Sequence, residues 1–441
     1  PSMTETIPMD SLDEHPSAVP QGATLLRRHA VAFFILGLLN NMMYVVILTA
    51  ALEILPSHVP TGILAFVNIA PAVVSKALFP YYFKGEIWYG WRVWACTLGS
   101  FCGMMCIAFF PGLFLRLVGI GIASFASGLG EITFLQYATR YPHQVTTYCI
   151  GWFASGTGAA GLIGASAWWI VRPLGVRGGL GLLSLLSFGT ALSFFVILPL
   201  PSIMSRSTDE TTEALMQDSD REPERNLSLS FSDKVQLLKP MLIPYIMPLI
   251  CVYFAEYTIN QGVAPTLLFT VPDSKQHKLL SMIIHSLRDY YPLYQLVYQA
   301  FVFISRSYTS ILPLPPIPKA WLWSPAILQV CLLVLLSSES IYDWFKASIA
   351  RSLVIVLVAV EGLAGGSSYV SVMSHIGGSD RAHTMPQEYS ARTIQEYEFK
   401  IGSVSLGDSL GIVLATLVSI PLQVSLCHMQ VGRGRDLCTR V

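Results

Sequence analysis

Four carboxylic acids, Glu131, Glu256, Glu361 and Asp408, stand inside long apolar runs of the chain. Insertion scales put such an acid at roughly 2.5–3.5 kcal/mol at a bilayer centre, so four together cost about 10 kcal/mol and need an offset. The available offsets are a water-filled cleft between helices, a basic partner, or a proton, because burial in a low dielectric favours the neutral carboxyl. Each acid therefore belongs either to a solute or proton path or to a structural pair between helices. Lys76 and Arg116 are the basic residues set deepest in apolar sequence; either can neutralise an acid or an anionic solute, or snorkel to the interface.

Helical spacing groups further polar side chains around these acids. Asn40, Asn41 and Tyr44 are three and four apart, so their polar ends meet on one side. Glu256 and Asn260 lie one turn apart, as do Tyr257 and Gln261, with Gly262 and Pro265 just beyond, where partial unwinding is expected. Tyr290, Tyr294 and Tyr298 recur every four residues, flanked by Gln295 and Gln299 and followed by Arg306. This pattern suits either a wall for a polar solute or an interfacial tyrosine belt. Ser124, Ser127, Gly128 and Glu131 share a flank, whereas Gly156, Ala160 and Gly164 read as a stripe for close helix packing.

The elements that must position these groups are membrane-spanning helices. Of the 441 residues 53% are hydrophobic and only 12% charged, against about a quarter charged in a soluble domain. Apolar stretches of about 20 residues recur, at roughly 29–52, 62–82, 91–110, 113–139, 145–171 and 178–200, then near 241–270, 284–308, 321–338, 347–371 and 401–424. The expected organisation is a disordered tail (1–28), a six-helix bundle (29–200), a flexible cytoplasmic linker (201–240), a second bundle of about five helices (241–424) and a C-terminal tail (425–441). An all-α polytopic protein of two bundles, about eleven helices in all, is the arrangement of a secondary transporter whose halves rock about a central site. With the N-terminus cytoplasmic, Arg27, Arg28, Lys84, Arg92 and Arg140 fall inside against Arg172 and Arg177 outside, as the positive-inside rule requires.

Composition also excludes. Formal net charge is zero, with no basic block of the kind that neutralises phosphates, so nucleic acid is not an expected partner. There is no Gly-Lys-Ser/Thr phosphate loop, no Gly-x-Ser-x-Gly elbow and no His-Glu-x-x-His helix, so neither an enzyme nor a metal centre or cofactor is expected. Six cysteines lie in apolar runs; Cys427 and Cys438 are left open between a luminal pair and two thiols. The sequon Asn226-Leu227-Ser228 falls in the linker. Asp233, Leu237 and Leu238 fit an acidic-dileucine sorting signal or the start of the seventh helix.

The stretches GLLNNMMYVVILTAA (37–51), SGLGEITFL (127–135), SGTGAAGLIGA (155–165), VYFAEYTINQG (252–262), YQAFVFISRS (298–307) and EGLAGGSSYV (361–370) resemble the battenin family. The resemblance covers both halves and implies a major-facilitator-like fold in the membrane of a lysosome or fungal vacuole. It implies roles in vacuolar pH control and basic amino acid transport, as in fungal members, or in glycerophosphodiester export, as in animal ones. Asn40, Asn41, Glu131, Glu256, Asn260, Gln261, Arg306 and Glu361 fall inside the matching stretches. Departures are a short first loop, Asn68 where an acid is expected, and Arg440 in place of the aliphatic residue of a prenylation box. The resulting expectation is a vacuolar secondary transporter of small polar solutes, with a cleft lined by helices 1, 4, 7, 8 and 10. Glu256 and Glu131 would exchange protons and Arg306 would hold an anionic group. The rival is a scaffold that binds proton-pump or trafficking partners through the linker.

Overall fold

The structure is a computed structural model that describes residues 18–50, 54, 61–82, 87–199, 229–272, 278–345, 349–378 and 391–439. The N-terminal half contains α1 (Ala18–Thr49), α2 (Thr61–Tyr82), α3 (Tyr89–Phe109), α4 (Leu113–Ala138) and α5 (His143–Val171). A 3-10 turn at Arg172–Leu174 then leads into α6, which runs on through Gly175–Ser184, Leu185–Ser187, Phe188–Leu192 and Ser193–Ile197. The C-terminal half opens with α7, made of Phe231–Met241, Leu242–Ile246, Met247–Thr258, Ile259–Val263 and Ala264–Thr266. It continues with α8 (Tyr290–Ser307), α9 (Ser324–Tyr342), α10 (Ala350–Gly378) and α11 (Ala391–Gly432).

Nine described stretches are long and apolar enough to cross a membrane. One of them, Val145–Ile197, folds as the two helices α5 and α6, and α8 drops below the hydropathy threshold because tyrosines and glutamines interrupt it. Among the described residues this makes eleven spans.

The ends of several helices differ from the sequence expectation. α1 begins at Ala18, inside the stretch expected as a tail, and α7 begins at Phe231, inside the expected linker. There Ser230 and Asp233 form a capping box, Asp233 N–H donating to Ser230 Oγ at 3.2 Å and Ser230 N–H to Asp233 Oδ2 at 3.1 Å. Asp233 thus starts a helix, and Leu238 packs on the core. α11 covers 42 residues, ten before the expected start and eight past the expected end. Asn226 lies outside the described residues.

α7 is irregular near its prolines. Pro244 and Pro248 lack the amide an α-helix needs and crowd the carbonyl four residues back, and the chain answers with a π turn at Leu242–Ile246. A second π turn at Ile259–Val263 runs into a 3-10 turn over Ala264–Thr266, the unwinding expected at Gly262 and Pro265. In the N-terminal half, α1 and α5 lie backbone to backbone. A Cβ on Gly156 would overlap the carbonyl of Phe34, and one on Gly37 that of Phe153, so the small-residue stripe of α5 is a packing surface.

Three hydrophobic cores show how the halves meet. One joins both halves, putting Phe33, Phe134, Ile150 and Phe153 with Leu249, Tyr253, Met373 and Ile401. The second (Met42, Val46, Ile107, Ile120 and neighbours) is built from the N-terminal half alone, and the third (Ile259, Leu267, Tyr294, Leu336 and neighbours) from the C-terminal half alone. Tracing each helix puts the shared core at the end of the bundle where α1 and α7 begin. The private cores lie toward the end where α1, α7 and α11 finish. The halves are fused at one end and separately packed at the other.

Candidate functional site

Between the halves lies a cavity of about 100 Å3. Asn41, Tyr44, Asn68, Lys76, Ser124, Ser127, Glu131, Thr157 and Gly161 line it from the N-terminal half. Tyr253, Tyr257, Tyr298, Gln299, Arg306, Tyr369, Asp408 and Ser409 line it from the other. Its size is below the roughly 300–1,000 Å3 of a pocket for a drug-sized ligand. In this conformation it accommodates water or a group the size of a carboxylate or phosphate, and a larger solute requires the halves to part.

One wall is a three-charge cluster. Lys76 Nζ of α2 lies 2.8 Å from Glu131 Oε2 of α4 and 3.0 Å from Asp408 Oδ1 of α11, and donates to Ser405 O at 3.0 Å and Ser409 Oγ at 2.8 Å. Lys76 is 2% exposed, so an ammonium at this depth is held by two carboxylates and two further oxygens. Tyr369 OH donates to Glu131 Oε1 at 3.2 Å. Because Lys76 and Glu131 come from one half and Asp408 and Tyr369 from the other, the cluster is a bond across the seam. Arg116, the other deep cation of the sequence reading, instead donates to the carbonyls of Phe110 and Ile54 at a helix end.

Arg306 faces the cluster with a different set of partners. Its Nη1 donates to Thr157 Oγ1 and its Nη2 to Tyr253 OH, both at 2.6 Å, and the guanidinium stacks on Tyr369 with its carbon 4.5 Å from the ring centroid. All three are neutral groups. Among the described residues no carboxylate pairs with Arg306, and its Nε has no hydrogen-bond partner. The cavity therefore contains two carboxylates satisfied by lysine and one cation that has no counter-charge in contact.

A second polar cluster lies behind the C-terminal wall. Tyr298 OH, on the cavity, donates to Glu256 Oε1. Asn260 Nδ2 donates to Glu361 Oε1 at 2.9 Å and to the Glu256 carbonyl at 3.2 Å, while its Oδ1 accepts from Gln295 Nε2 at 2.9 Å.

Of the residues singled out in the sequence, Asn41, Tyr44, Glu131, Tyr298, Arg306 and Asp408 line the cavity; Glu256, Asn260 and Glu361 form the cluster behind it. Three take other places. Asn40 pairs α1 with α4, its Nδ2 donating to Ser127 O at 3.0 Å and its carbonyl accepting from Ser127 Oγ at 2.9 Å. Tyr294 is fully buried within the C-terminal half, donating to Leu267 O at 2.9 Å. Gln261 is half-buried and off the cavity. The tyrosine repeat of α8 divides accordingly: its third member reaches the seam, and the first two fill the core of their own half.

The sealed end holds residues that sequence spacing did not single out. Glu398 of α11 accepts from Arg140 Nε at 2.7 Å and from Tyr89 OH at 2.6 Å, and its backbone carbonyl accepts from Gln136 Nε2 at 2.8 Å. Lys234 of α7 caps α2 by donating to Pro80 O at 2.8 Å and Tyr81 O at 3.1 Å. Ser155 and Ser307 meet across the seam at 2.7 Å. Glu398 escaped notice because it lay outside the expected span. Its register with Ile401, Ser405 and Asp408 on one α11 face is the signal that extends the helix. At the opposite end a Cys427–Cys438 disulfide folds the tail back, Arg433 stacks on Tyr342, and Arg435 Nη1 lies 3.6 Å from Asp343 Oδ1.

The family model described as CLN3 protein matches residues 31–429. Protein BTN1 of Mycosarcoma maydis is 50% identical, with 92% of this chain and 88% of that protein covered. Protein BTN1 of Saccharomyces cerevisiae is 34% identical, with 92% and 97% covered. Among solved structures, the proton:xylose symporter XylE aligns with a TM-score of 0.57 at 12% identity over 94% of this chain and 93% of that one. The human organic anion transporter MFSD10 aligns at 0.54 and 13% over 94% and 96%. Identities this low carry the fold, that of the major facilitator superfamily.

Proposed function

The chain belongs to the CLN3, or battenin, family, and from that premise we propose that it is a proton-linked secondary transporter of the vacuolar or lysosomal membrane, moving a small polar solute that bears an anionic group. The observation that carries this reading is Arg306: a cation on a cavity between two halves, held by neutral hydroxyls and one aromatic face, with no carboxylate in contact. A guanidinium presents a planar fork that suits a carboxylate or phosphodiester. Because Lys76 already satisfies Glu131 and Asp408, the cavity favours an anion over a bare cation, so a basic amino acid would be recognised through its carboxylate.

Alternating access supplies the movement. Rocking about the seam must break the Lys76 cluster or the Arg306–Thr157 contact, and an anionic solute between Arg306 and the cluster changes the balance of charge there. Orientation follows from the tail. A disulfide persists in an oxidising compartment, which supports a luminal position for the C-terminal end of α11. With eleven spans, a cytoplasmic start of α1 goes with that luminal tail, in line with the arginines at the sealed end. The conformation described is sealed on the cytoplasmic side.

The test is metabolite profiling of isolated vacuoles with and without the protein, followed by uptake of the accumulating solute into proteoliposomes with and without a pH gradient. Arg306→Gln is expected to abolish uptake and Arg306→Lys to reduce it at least tenfold, while deletion of residues 205–228 leaves flux intact. Uptake indifferent to the pH gradient would remove the proton from the scheme. Full uptake by Arg306→Gln would remove the anion site.

A further inference from the structure

Glu256 and Glu361 are each 1% exposed, and neither has a basic side chain within ion-pair distance among the described residues. Each has one carboxyl oxygen engaged and one unpartnered: Glu256 Oε1 accepts from Tyr298 and Glu361 Oε1 from Asn260, while both Oε2 atoms have no partner. Helix packing presses the group closer still, since α10 offers Gly365 where a Cβ would collide with the Glu256 carboxyl. The backbone of α7 leaves α-geometry at this level, and the π turn Ile259–Val263 carries Asn260, which donates to the Glu361 carboxyl and to the backbone carbonyl of Glu256. Single π turns inside α-helices are frequent at functional sites.

Two buried charges of like sign with no cation in contact cost more than the hydrogen bonds present can offset. From this geometry we infer that Glu256 and Glu361 form the coupling-proton site of the transporter, a pair inside the C-terminal half of which at most one member is ionised at any time. The inference rests on the proton-linked reading above and revises its residues: Glu361, not Glu131, is the partner of Glu256, because Glu131 is committed to Lys76. Loading adds one proton to a carboxylate and removes one negative charge; unloading returns that proton to cavity water and restores the charge. Tyr298 is the link, since its ring lines the cavity while its hydroxyl donates to Glu256.

The groups around the pair are consistent with this role. Tyr253 and Tyr257 of α7 and Tyr298 and Arg306 of α8 face Glu256, together with Glu361 of α10. α9 brings the neutral Gln329, whose Nε2 donates to the Glu361 carbonyl at 2.8 Å. α11 brings Asp408, within reach of Tyr253 and bound to Lys76. Among the described residues Arg306 is the cation whose field reaches Glu256, and both of its terminal nitrogens are occupied by hydroxyls. An anion on Arg306 would weaken that field at Glu256 and favour its protonation, so solute and proton would load together.

Infrared difference spectroscopy of the purified full chain, stepped from neutral to acidic pH, reads the pair without any solute. The wild type is expected to show the carbonyl band of a protonated carboxylic acid already at neutral pH. Glu256→Gln/Glu361→Gln should lose it, and Tyr298→Phe should shift it because the donor to Glu256 is gone. A band unchanged in the double variant overturns the inference, as does a band that vanishes at fixed pH when sodium replaces choline, which would make the ligand a metal cation. Should the double variant fail to fold, the shift in Tyr298→Phe and in each single glutamine variant decides. Proteoliposomes that fail to transport while the band behaves as expected would instead overturn the transport reading and leave the proton site standing.

Discussion

The Lys76 cluster and the Glu256–Glu361 pair both bury two carboxylic acids almost completely and solve the burial of charge in opposite ways. Glu131 and Asp408 are held by an ammonium that reaches across the seam, whereas Glu256 and Glu361 have amide and phenol partners from their own half. A cation shared between halves ties stability to conformation, because parting them orphans charges in a low-dielectric wall. A pair whose partners all come from its own half would keep them if the halves part. The first arrangement suits a latch and the second a carried ligand.

Lys76→Met is the strongest way to break that contrast. It leaves two buried carboxylates without their cation, and removing one partner of a buried pair costs about 3–5 kcal/mol. Thermal unfolding in detergent should show a large loss, with recovery in Lys76→Met/Glu131→Gln/Asp408→Asn. A single variant as stable as the wild type would mean the cluster is not a bond.

At the rim of the same seam, Glu398→Gln removes the charge-assisted contacts to Arg140 and Tyr89. Arg140 is about a third exposed, and solvent screens that contact, so the loss is expected at about 1–2 kcal/mol. Hydrogen exchange should accelerate along residues 398–409 and stay unchanged around Asn260. Equal acceleration in both regions would show that the two halves do not open independently of their cores.

Tyr369→Phe removes only the hydroxyl donated to Glu131 while keeping the ring under Arg306, and a loss of about 1 kcal/mol is expected. Smallest of all should be Glu256→Gln, which reproduces the shape of a protonated acid and breaks no ion pair. Its unfolding temperature should lie within about 0.5 kcal/mol of the wild type in free-energy terms. A loss as large as that of Lys76→Met would reveal a counter-charge and erase the difference between the two regions.

Much of this organisation was legible before any coordinates. Length of apolar run is dictated by bilayer thickness, so eleven spans, two bundles and the unwinding near Gly262 follow from the residues themselves. The Gly156, Ala160 and Gly164 spacing announced a close helix contact. Burial cost alone picked out the four acids, because an acid within an apolar run needs an explanation wherever the helix goes.

Tertiary structure decided which acid meets which partner. Helical spacing assigns residues to a face but not to a neighbour, so Lys76 and Asp408, 332 positions apart, meet only because α2 and α11 pack across the seam. For the same reason Asn40 and Asn41, adjacent in sequence, part company: one ties α1 to α4 and the other faces the cavity. Glu398 entered the seal because α11 begins before the start of its apolar run, where Tyr89, Gln136 and Arg140 supply polar partners for a buried charge. Depth and periodicity are properties of the chain, whereas pairing is a property of the packing.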